Sequence, residues 1–291
     1  MREDAPEYEY ISSRQNPSVI RWSSLGEHKA REKERLFRFD GIKLFREAVS
    51  CGTDIVRVLV LDDVRDRILP EIETCLGSGM AKTTVTLLSE GAFSKISEEK
   101  SPEGIITVAK YIDKRHKIAT INNAAELAAS DRRLIALESV RDPGNVGAVI
   151  RTAAAFGVDT LLLSSDCADI YNPKTVRAAM GALFSREILI CPDLATVLET
   201  LSASGRRVLG AALSDGAGSL TDTKLTSRDC VVIGNEGHGL SRKVLDACDG
   251  CVILPMEAGP GVESLNAAVA ASVFMWEAGR EELMKKQAAD N

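Results

Sequence analysis

The second half of the chain carries six short apolar segments that alternate with stretches of helical character. They are LIALES (134–139), TLLLS (160–164), EILI (187–190), VLGAAL (208–213), CVVIG (230–234) and CVILP (251–255). Apolar strands joined by crossover helices are typical of a parallel sheet covered on both faces. The pattern therefore predicts an α/β domain of Rossmann-like character in this half.

The first half predicts a smaller α/β domain. Its expected strands are VRVLVL (56–61), TVTLL (84–88) and GIITV (104–108), with a helix over residues 41–50. At 291 residues the chain is long enough for two packed domains. Residues 113–132 mix charge, Asn and Ala and read as a linker that could hold one pair of helical turns. In chain order, we expect a tail over 1–13, a first domain over 14–112, the linker over 113–132 and a second domain over 133–291.

The charge balance allows only a local nucleic-acid surface. The chain has 36 Lys and Arg against 42 Asp and Glu, a net charge of −6, and phosphate binding is driven by basic side chains. Residues 11–50 depart from this balance with nine basic and five acidic residues. A solvated helix face explains such a run as well as RNA contact does.

Neither a membrane protein nor a secreted one is expected. The longest largely apolar run, 267–276, is far short of the ~20 residues that cross a bilayer. The acidic start also lacks signal-peptide features, so we expect the protein in the cytoplasm.

The seven cysteines are expected to be reduced, and no metal site is expected. Cys248 and Cys251 form a C-x-x-C pair, but no second cysteine pair completes a zinc site, and the pair leads into a strand instead of opening a helix. We interpret it as two thiols at a turn. The three histidines are scattered and suggest no metal-ligand spacing.

Three polar motifs each follow one of the predicted strands, where α/β proteins usually bind ligands. The first, DPGNVGAVIRTAAAFG (142–157), places Arg151 inside an apolar helix, where a lone arginine could also snorkel to solvent. The second is the glycine-rich NEGHGLS (235–241). The third is MEAGPGVESLNAAVAAS (256–272), in which helix capping alone would explain Ser264 and Asn266.

In this order, the three motifs resemble the signature of the SpoU-type RNA ribose 2′-O-methyltransferases of the SPOUT class. The region 11–111 is similar to the substrate-binding domain of the ribosomal-RNA members, through the segments SRQNP (13–17), KAREKERLFRFDGIKLFREA (29–48) and KISEEKSPEGIITV (95–108). The segment YNPKTVRAAMGALF (171–184) resembles the connecting helix of the family.

The resemblance implies a ribosomal-protein-like α/β first domain and a trefoil knot in the second, with packing of the knotted domains into a homodimer. It also implies S-adenosylmethionine as cofactor and RNA as partner. Glycines 234, 237, 259 and 261 would let the backbone approach the cofactor closely. The cofactor-binding residues that it implies are Gly234, Asn235, Gly237, Ile253, Leu254, Met256, Ser264 and Leu265.

For catalysis, the resemblance implies that Arg151 acts on the 2′-hydroxyl, that Asn145 holds Arg151 or the ribose, and that Ser264 and Asn266 complete the site. A guanidinium has a pKa above about 12. Arg151 must therefore either be strongly desolvated or stabilise the forming alkoxide. The RNA contacts that the resemblance implies are Glu236, Arg14, Lys29, Arg31, Lys33 and Arg177.

Three other functions stay open at this stage. The chain could methylate transfer RNA, or it could be a catalytically silent RNA-binding or ribosome-assembly protein, although the polar residues of all three motifs are present. A dinucleotide-dependent enzyme is disfavoured, because GNEGHG has the spacing G-x-x-G-x-G and not G-x-G-x-x-G.

Overall fold

The computed structural model describes residues 8–214, 216–257 and 264–289. The chain divides into two compact units. The first combines the chain up to Ile112 with the segment Tyr171–Phe184, and the second combines Asp113–Ile170 with the chain from Ser185 onward. Strands and helices are numbered along the chain.

The first unit is built on a mixed five-stranded sheet in the order β1-β4-β3-β5-β2. Its strands are β1 (Glu9–Ile11), β2 (Leu36–Asp40), β3 (Ile55–Leu61), β4 (Thr84–Leu88) and β5 (Ile105–Lys110). Strand β5 pairs antiparallel with β2 and β3, whereas β4 pairs parallel with β1 and β3. The helices before residue 112 are α1 (Pro17–Ser24), α2 (His28–Glu34), α3 (Ile42–Ser50), α4 (Arg65–Leu76) and α5 (Glu90–Ile96).

The second unit is built on an eight-stranded sheet in the order β11-β13-β10-β12-β7-β8-β9-β6, and every neighbouring pair is parallel. Its strands are β6 (His116–Ile118), β7 (Leu134–Leu137), β8 (Thr160–Ser164), β9 (Glu187–Cys191), β10 (Val208–Ala211), β11 (Gly218–Ser219), β12 (Cys230–Ile233) and β13 (Gly250–Ile253). Its helices are α6 (Ile121–Ala129), α7 (Pro143–Ala155), α10 (Leu194–Ala203), α11 (Arg242–Asp246) and α12 (Ala267–Ala289). The predicted parallel-sheet fold is confirmed, with the six expected strands inside the sheet and β6 and β11 added at its edges.

The expected linker is an integral part of the second unit. Residues 113–132 contribute β6 to the sheet edge and form α6, which begins with a capping box at Thr120. Ala124, Leu127 and Ala128 of α6 are buried in the core of the second unit. Three small or medium apolar side chains suffice to dock a short helix, and the surrounding charges conceal this pattern in the sequence.

The segment 171–184 was expected in the second domain, but it packs within the first unit. It contains α8 (Pro173–Ala179) and most of α9 (Ala182–Ser185). Tyr171 stacks on Tyr111 with ring centroids 3.9 Å apart, and it lies 4.6 Å from Phe37. Phe184 lies 5.2 Å from Phe39. These aromatic contacts place the segment in the first unit. Its sequence is amphipathic, but the sequence does not indicate which surface its apolar face covers.

The path of the second unit sets the three motif loops at one edge of its sheet. Strands β7 and β12 are neighbours, with Leu137 in register with Ile233, and β10 separates β12 from β13. The carboxyl ends of parallel strands meet at the same edge. The trefoil knot stays a prediction. Within the described ranges, no helix combines the length and the apolar character that a membrane crossing requires.

A mostly buried carboxyl lies at the end of β2. Burial raises the pKa of Asp40 from 3.8 to about 6, against the hydrogen bond from Ser97 and the attraction of Arg38. The Ser97 hydroxyl donates to Asp40 Oδ1 over 2.9 Å. Burial also lowers the pKa of Arg38, which is 3% exposed. For both groups, therefore, desolvation outweighs their mutual attraction.

This carboxyl predicts a pH dependence of stability. The folded state holds the Asp40 proton more tightly than the unfolded state, so the free energy of unfolding falls as the pH rises through about 4 to 6 and is level above that range. We expect Asp40→Asn to remove roughly 2 kcal/mol of this fall between pH 4 and pH 7. Urea unfolding at a series of pH values measures it. The control is Asp54→Asn at a 78% exposed side chain, and an unchanged slope for Asp40→Asn would contradict the assignment.

Candidate functional site

The three motifs meet in one hydrogen-bonded cluster at the carboxyl edge of the second sheet. Asn145 Nδ2 donates to Glu236 Oε1, and Asn266 Nδ2 donates to Asn145 Oδ1 over 3.0 Å. The first motif thus contributes Asn145, the second Glu236 and the third Asn266. Side chains separated by 91 and 121 residues in the sequence are brought into direct contact.

Local capping explains why two of these residues lie where they do. The Asp142 side chain accepts from the backbone N–H of Asn145 over 3.0 Å, and Pro143 opens α7. Asn266 Oδ1 accepts from the backbone N–H groups of Ala268 and Val269 over 2.9 and 3.3 Å. Asn266 therefore caps α12 with its oxygen and binds Asn145 with its nitrogen, so capping and site formation use different atoms of one amide.

The glycine-rich second motif folds tightly on itself. Asn235 and Gly239 exchange two backbone hydrogen bonds of 3.1 and 2.9 Å. A Cβ on Gly234 would lie 2.4 Å from the carbonyl carbon of Gly239, and Gly239 itself has φ +67°. Glycine is required at position 234 by this close contact and favoured at position 239 by the positive φ. A Cβ on Gly237 would meet its nearest atom, Asn235 Oδ1, at an ordinary 3.5 Å.

A cleft of about 490 Å³ opens beside this loop, and Glu236 lies on its wall. The structure places all eight predicted cofactor residues on the lining of this cleft: Gly234, Asn235, Gly237, Ile253, Leu254, Met256, Ser264 and Leu265. Gly259 and Gly261 lie outside the described residues.

Sequence reasoning missed part of the cleft wall. Ala211, Ala212 and Leu213 line it from the end of β10, His238 from the second motif, and Phe274 from α12. Strand β10 lies between β12 and β13, so its carboxyl end had to face the same site. The sequence predicts the strand 208–213, but it indicates that the end of this strand lines the cleft only when the strand order is known.

Arg151 does not join the cluster. Its side chain is exposed on α7 and makes no hydrogen bond or ion pair with any residue that the structure describes. The side chain of Asn145 binds Glu236 and Asn266 instead of Arg151. Arg151 lies six residues after Asn145 in α7. The two side chains therefore point about 120° apart around the helix axis.

The expected RNA contacts differ in their accessibility. Arg14, Lys29 and Lys33 are exposed, and so is Arg177, which lies 3.5 Å from Glu99. Arg31 is different, because it is 1% exposed. Its Nη1 donates to the carbonyls of Leu25 and Gly26 over 2.9 and 2.6 Å.

The structure therefore contradicts the expectation that Arg31 contacts RNA. Its guanidinium holds the turn between α1 and α2, and the basic run of residues 11–50 does not form one uniform surface. The charge pattern of residues 11–50 does not indicate that the side chain of Arg31 points into the protein.

All seven cysteines are unpaired. Cys248 Sγ lies 3.2 Å from the carbonyl oxygen of Val244, and burial raises the pKa of this thiol to about 12. The thiolate is the form that binds metals and attacks disulfides, and this environment disfavours it. In the described part of the chain, no three His, Cys, Asp or Glu side chains are grouped to hold a metal ion.

Comparison with protein families gives two adjacent matches. Residues 132–276 match the SpoU rRNA Methylase family, and residues 16–107 match an MRM3-like substrate binding domain. The two matches leave residues 108–131 between them.

Individual relatives match nearly the whole chain. The 23S rRNA (guanosine(2553)-2′-O)-methyltransferase RlmP of Bacillus subtilis is 32% identical over 266 residues, which is 91% of this chain and 97% of the relative. The 23S rRNA (guanosine-2′-O-)-methyltransferase RlmB of Nitrosomonas europaea is 30% identical over 69% of this chain and 76% of its own. The AdoMet-bound rRNA methyltransferase of Sinorhizobium meliloti superposes with a TM-score of 0.78 at 26% identity, covering 94% of this chain and 98% of its own.

The tight turn after β12 predicts a steric penalty. In Gly234→Ala, the new methyl group would overlap the backbone of Gly239, so the turn must open. We expect a loss of about 2 kcal/mol of unfolding free energy for the second unit, measured by denaturant titration. The control is Gly250→Ala, whose nearest contact would be an ordinary 3.9 Å from Leu209. Equal stability of the two variants would mean that the turn is not packed as described.

Proposed function

Because this chain belongs to the SpoU rRNA methylase family, we propose that it transfers a methyl group from S-adenosylmethionine to a ribose 2′-hydroxyl of ribosomal RNA. The observation that carries the proposal is the contact of Asn145, Glu236 and Asn266 beside the cleft. The similarity to the Bacillus subtilis enzyme, whose name gives a 2′-O position in 23S rRNA, supports the choice of reaction.

The cleft fits the proposed cofactor. Its volume of about 490 Å³ is that of a small-molecule site. Ile253, Leu254, Met256 and Leu265 supply apolar walls suited to a purine ring. When bound, S-adenosylmethionine supplies an electrophilic methyl group on a positively charged sulfur.

The polar cluster would orient the ribose. In the transfer, the 2′-oxygen would form a bond to the methyl carbon as the carbon–sulfur bond breaks, S-adenosylhomocysteine would leave as a neutral thioether, and the hydroxyl proton would pass to solvent water. Such an in-line displacement depends on alignment, which contributes several kcal/mol. Asn145 and Asn266 fix each other through their amides and would hold the sugar in place, with Ser264 completing the site and Glu236 positioning the RNA.

Arg151 would act on the charge that develops at the 2′-oxygen. Its exposed side chain is available to an incoming RNA, and the described protein contacts do not desolvate it. We therefore favour stabilisation of the forming alkoxide over proton abstraction by a neutral arginine. Positive charge placed at a developing anion lowers a barrier directly.

Ribosomal RNA is favoured over transfer RNA by the match of residues 16–107 to a substrate-binding domain. Exposed Arg14, Lys29, Lys33 and Arg177 would contribute phosphate contacts on this unit. A cytoplasmic location is supported by the similarity to an rRNA methyltransferase of the bacterium Bacillus subtilis. A catalytically silent scaffold is disfavoured because the polar groups of all three motifs are present and two of the motif contacts are formed.

Methyl transfer tests the proposal directly. Labelled S-adenosylmethionine should label ribosomal RNA at one ribose, and Arg151→Ala should lower kcat at least ~100-fold, because an interaction with transition-state charge is lost. The control is Arg228→Ala, which removes an exposed arginine at the amino edge of the same sheet. Label in transfer RNA alone would select the other substrate class. Cofactor binding without transfer to free RNA or assembled ribosomal particles would select the silent scaffold.

We also propose that the protein is a homodimer through its second unit, as the family resemblance implies. Helix α12 exposes Val269, Val273 and Trp276, which are 49%, 38% and 41% exposed. Their spacing of four and three residues places them on one helical face. An apolar stripe of this kind suits a second copy of the same surface.

Sedimentation at micromolar concentration should show a dimer, and Val273→Glu should shift it to monomer, because two carboxylates would meet in an apolar contact. The control is Lys285→Glu on the same helix, outside this stripe, which should stay dimeric. A monomeric wild-type protein would refute the proposal.

A further inference from the structure

A buried carboxylate at the end of β7 holds one end of the glycine-rich loop. Glu138 is 9% exposed. Its Oε2 accepts from the backbone N–H of Ser241 over 2.8 Å, and its Oε1 accepts from the Ser241 hydroxyl over 2.5 Å. Ser241 also caps α11, because its Oγ accepts from Val244 N over 3.3 Å. Both carboxylate oxygens of Glu138 therefore bind a single residue.

Ser139, which follows Glu138 in the chain, holds the other end of the same loop. The Ser139 carbonyl accepts from Asn235 Nδ2 over 2.8 Å. Asn235 Oδ1 in turn accepts from the backbone N–H groups of Gly237 and His238 over 2.8 and 3.2 Å. The loop between Asn235 and Ser241 is thus attached at both ends to the two residues that follow β7. The Asn235 amide and the two Asn235–Gly239 backbone bonds brace it internally.

Ser139 is itself held in an uncommon conformation. It has φ +55°, which is unusual for a residue other than glycine. Its N–H donates to Ser164 Oγ over 2.8 Å and its hydroxyl to Asp166 Oδ2 over 2.6 Å. Ser164 also donates to Asp166, over 2.6 Å. These bonds from the end of β8 fix the direction in which the Ser139 carbonyl points.

We propose that Glu138 is a positioning residue that holds the loop 235–241 in its cofactor-binding shape through Ser241. The inference rests on the proposed function, since it concerns affinity for S-adenosylmethionine. The loop residues Gly237, His238 and Gly239 are exposed and line the cleft, so packing contributes little to their placement. The loop is held by the two Asn235–Gly239 backbone bonds, by the buried side chain of Leu240 and by hydrogen bonds at its two ends. Glu138 provides two of these end contacts.

Two readouts separate this role from ordinary stabilisation: the Kd for S-adenosylmethionine by calorimetry, and amide hydrogen exchange of residues 235–241 in the ligand-free protein. Glu138→Gln keeps one acceptor oxygen but turns an amide N–H₂ toward one of the two Ser241 donors. Ser241→Ala removes the hydroxyl. We expect each variant to raise the Kd about tenfold and to speed loop exchange, with the double variant no worse than either single one.

Matched variants control for folding. Ser241→Thr keeps the hydroxyl and should restore wild-type affinity and exchange. Thr120→Ala removes a comparable helix cap on α6, where Thr120 Oγ1 accepts from Asn123 N over 3.2 Å, and should lower Tm without changing the Kd.

Wild-type loop exchange or wild-type affinity in both Glu138→Gln and Ser241→Ala would overturn the positioning role. If the wild-type protein binds no S-adenosylmethionine, the proposed function fails instead. In that case, loop exchange alone still decides whether Glu138 holds the loop.

Discussion

The parallel pairing of β7 with β12 is the constraint on which the candidate site depends. Leu137 lies in register with Ile233, so the residues that follow each strand leave the sheet side by side. Beyond the last paired residues, the two chains stay joined by side chains: Glu138 binds Ser241 and Asn235 binds the Ser139 carbonyl. A shift of this register would also separate Asn145 from Glu236, because the two residues lie in the segments that follow these strand ends.

Much of the second unit could be predicted from the sequence, for a physical reason. Buried parallel strands are nearly continuous apolar runs, and six of them stand out between helices. Short edge strands such as β11, with two residues, carry too little pattern to be seen. The order of the strands is equally invisible, and for that reason the contribution of Leu213 to the cleft was missed, although its strand was expected.

The site itself was predictable by residue type more than by geometry. The three motifs predict that Asn145, Glu236 and Asn266 belong to one site, and in the structure the three side chains are in contact. The motifs did not show that the Asn145 amide is occupied by these neighbours, nor that Arg151 stands apart on another face of the helix. Arg31 shows the converse difficulty, because a basic residue in a basic run can be an internal brace whose charge never reaches the surface. Whether such a side chain is free for a ligand or occupied inside the protein depends on hydrogen-bond partners that lie elsewhere in the sequence.

The placement of 171–184 in the first unit has a consequence for biosynthesis. The aromatic face formed by Phe37, Phe39 and Tyr111 is completed only by Tyr171 and Phe184, which leave the ribosome long after the rest of that unit. The nascent amino-terminal region must wait with an uncovered aromatic surface while about 60 further residues are translated, a delay of several seconds at ordinary elongation rates. A gene fusion that cut the chain after Ile112 would make that exposure permanent. The unit that folds with this aromatic surface covered is therefore larger than the contiguous amino-terminal region.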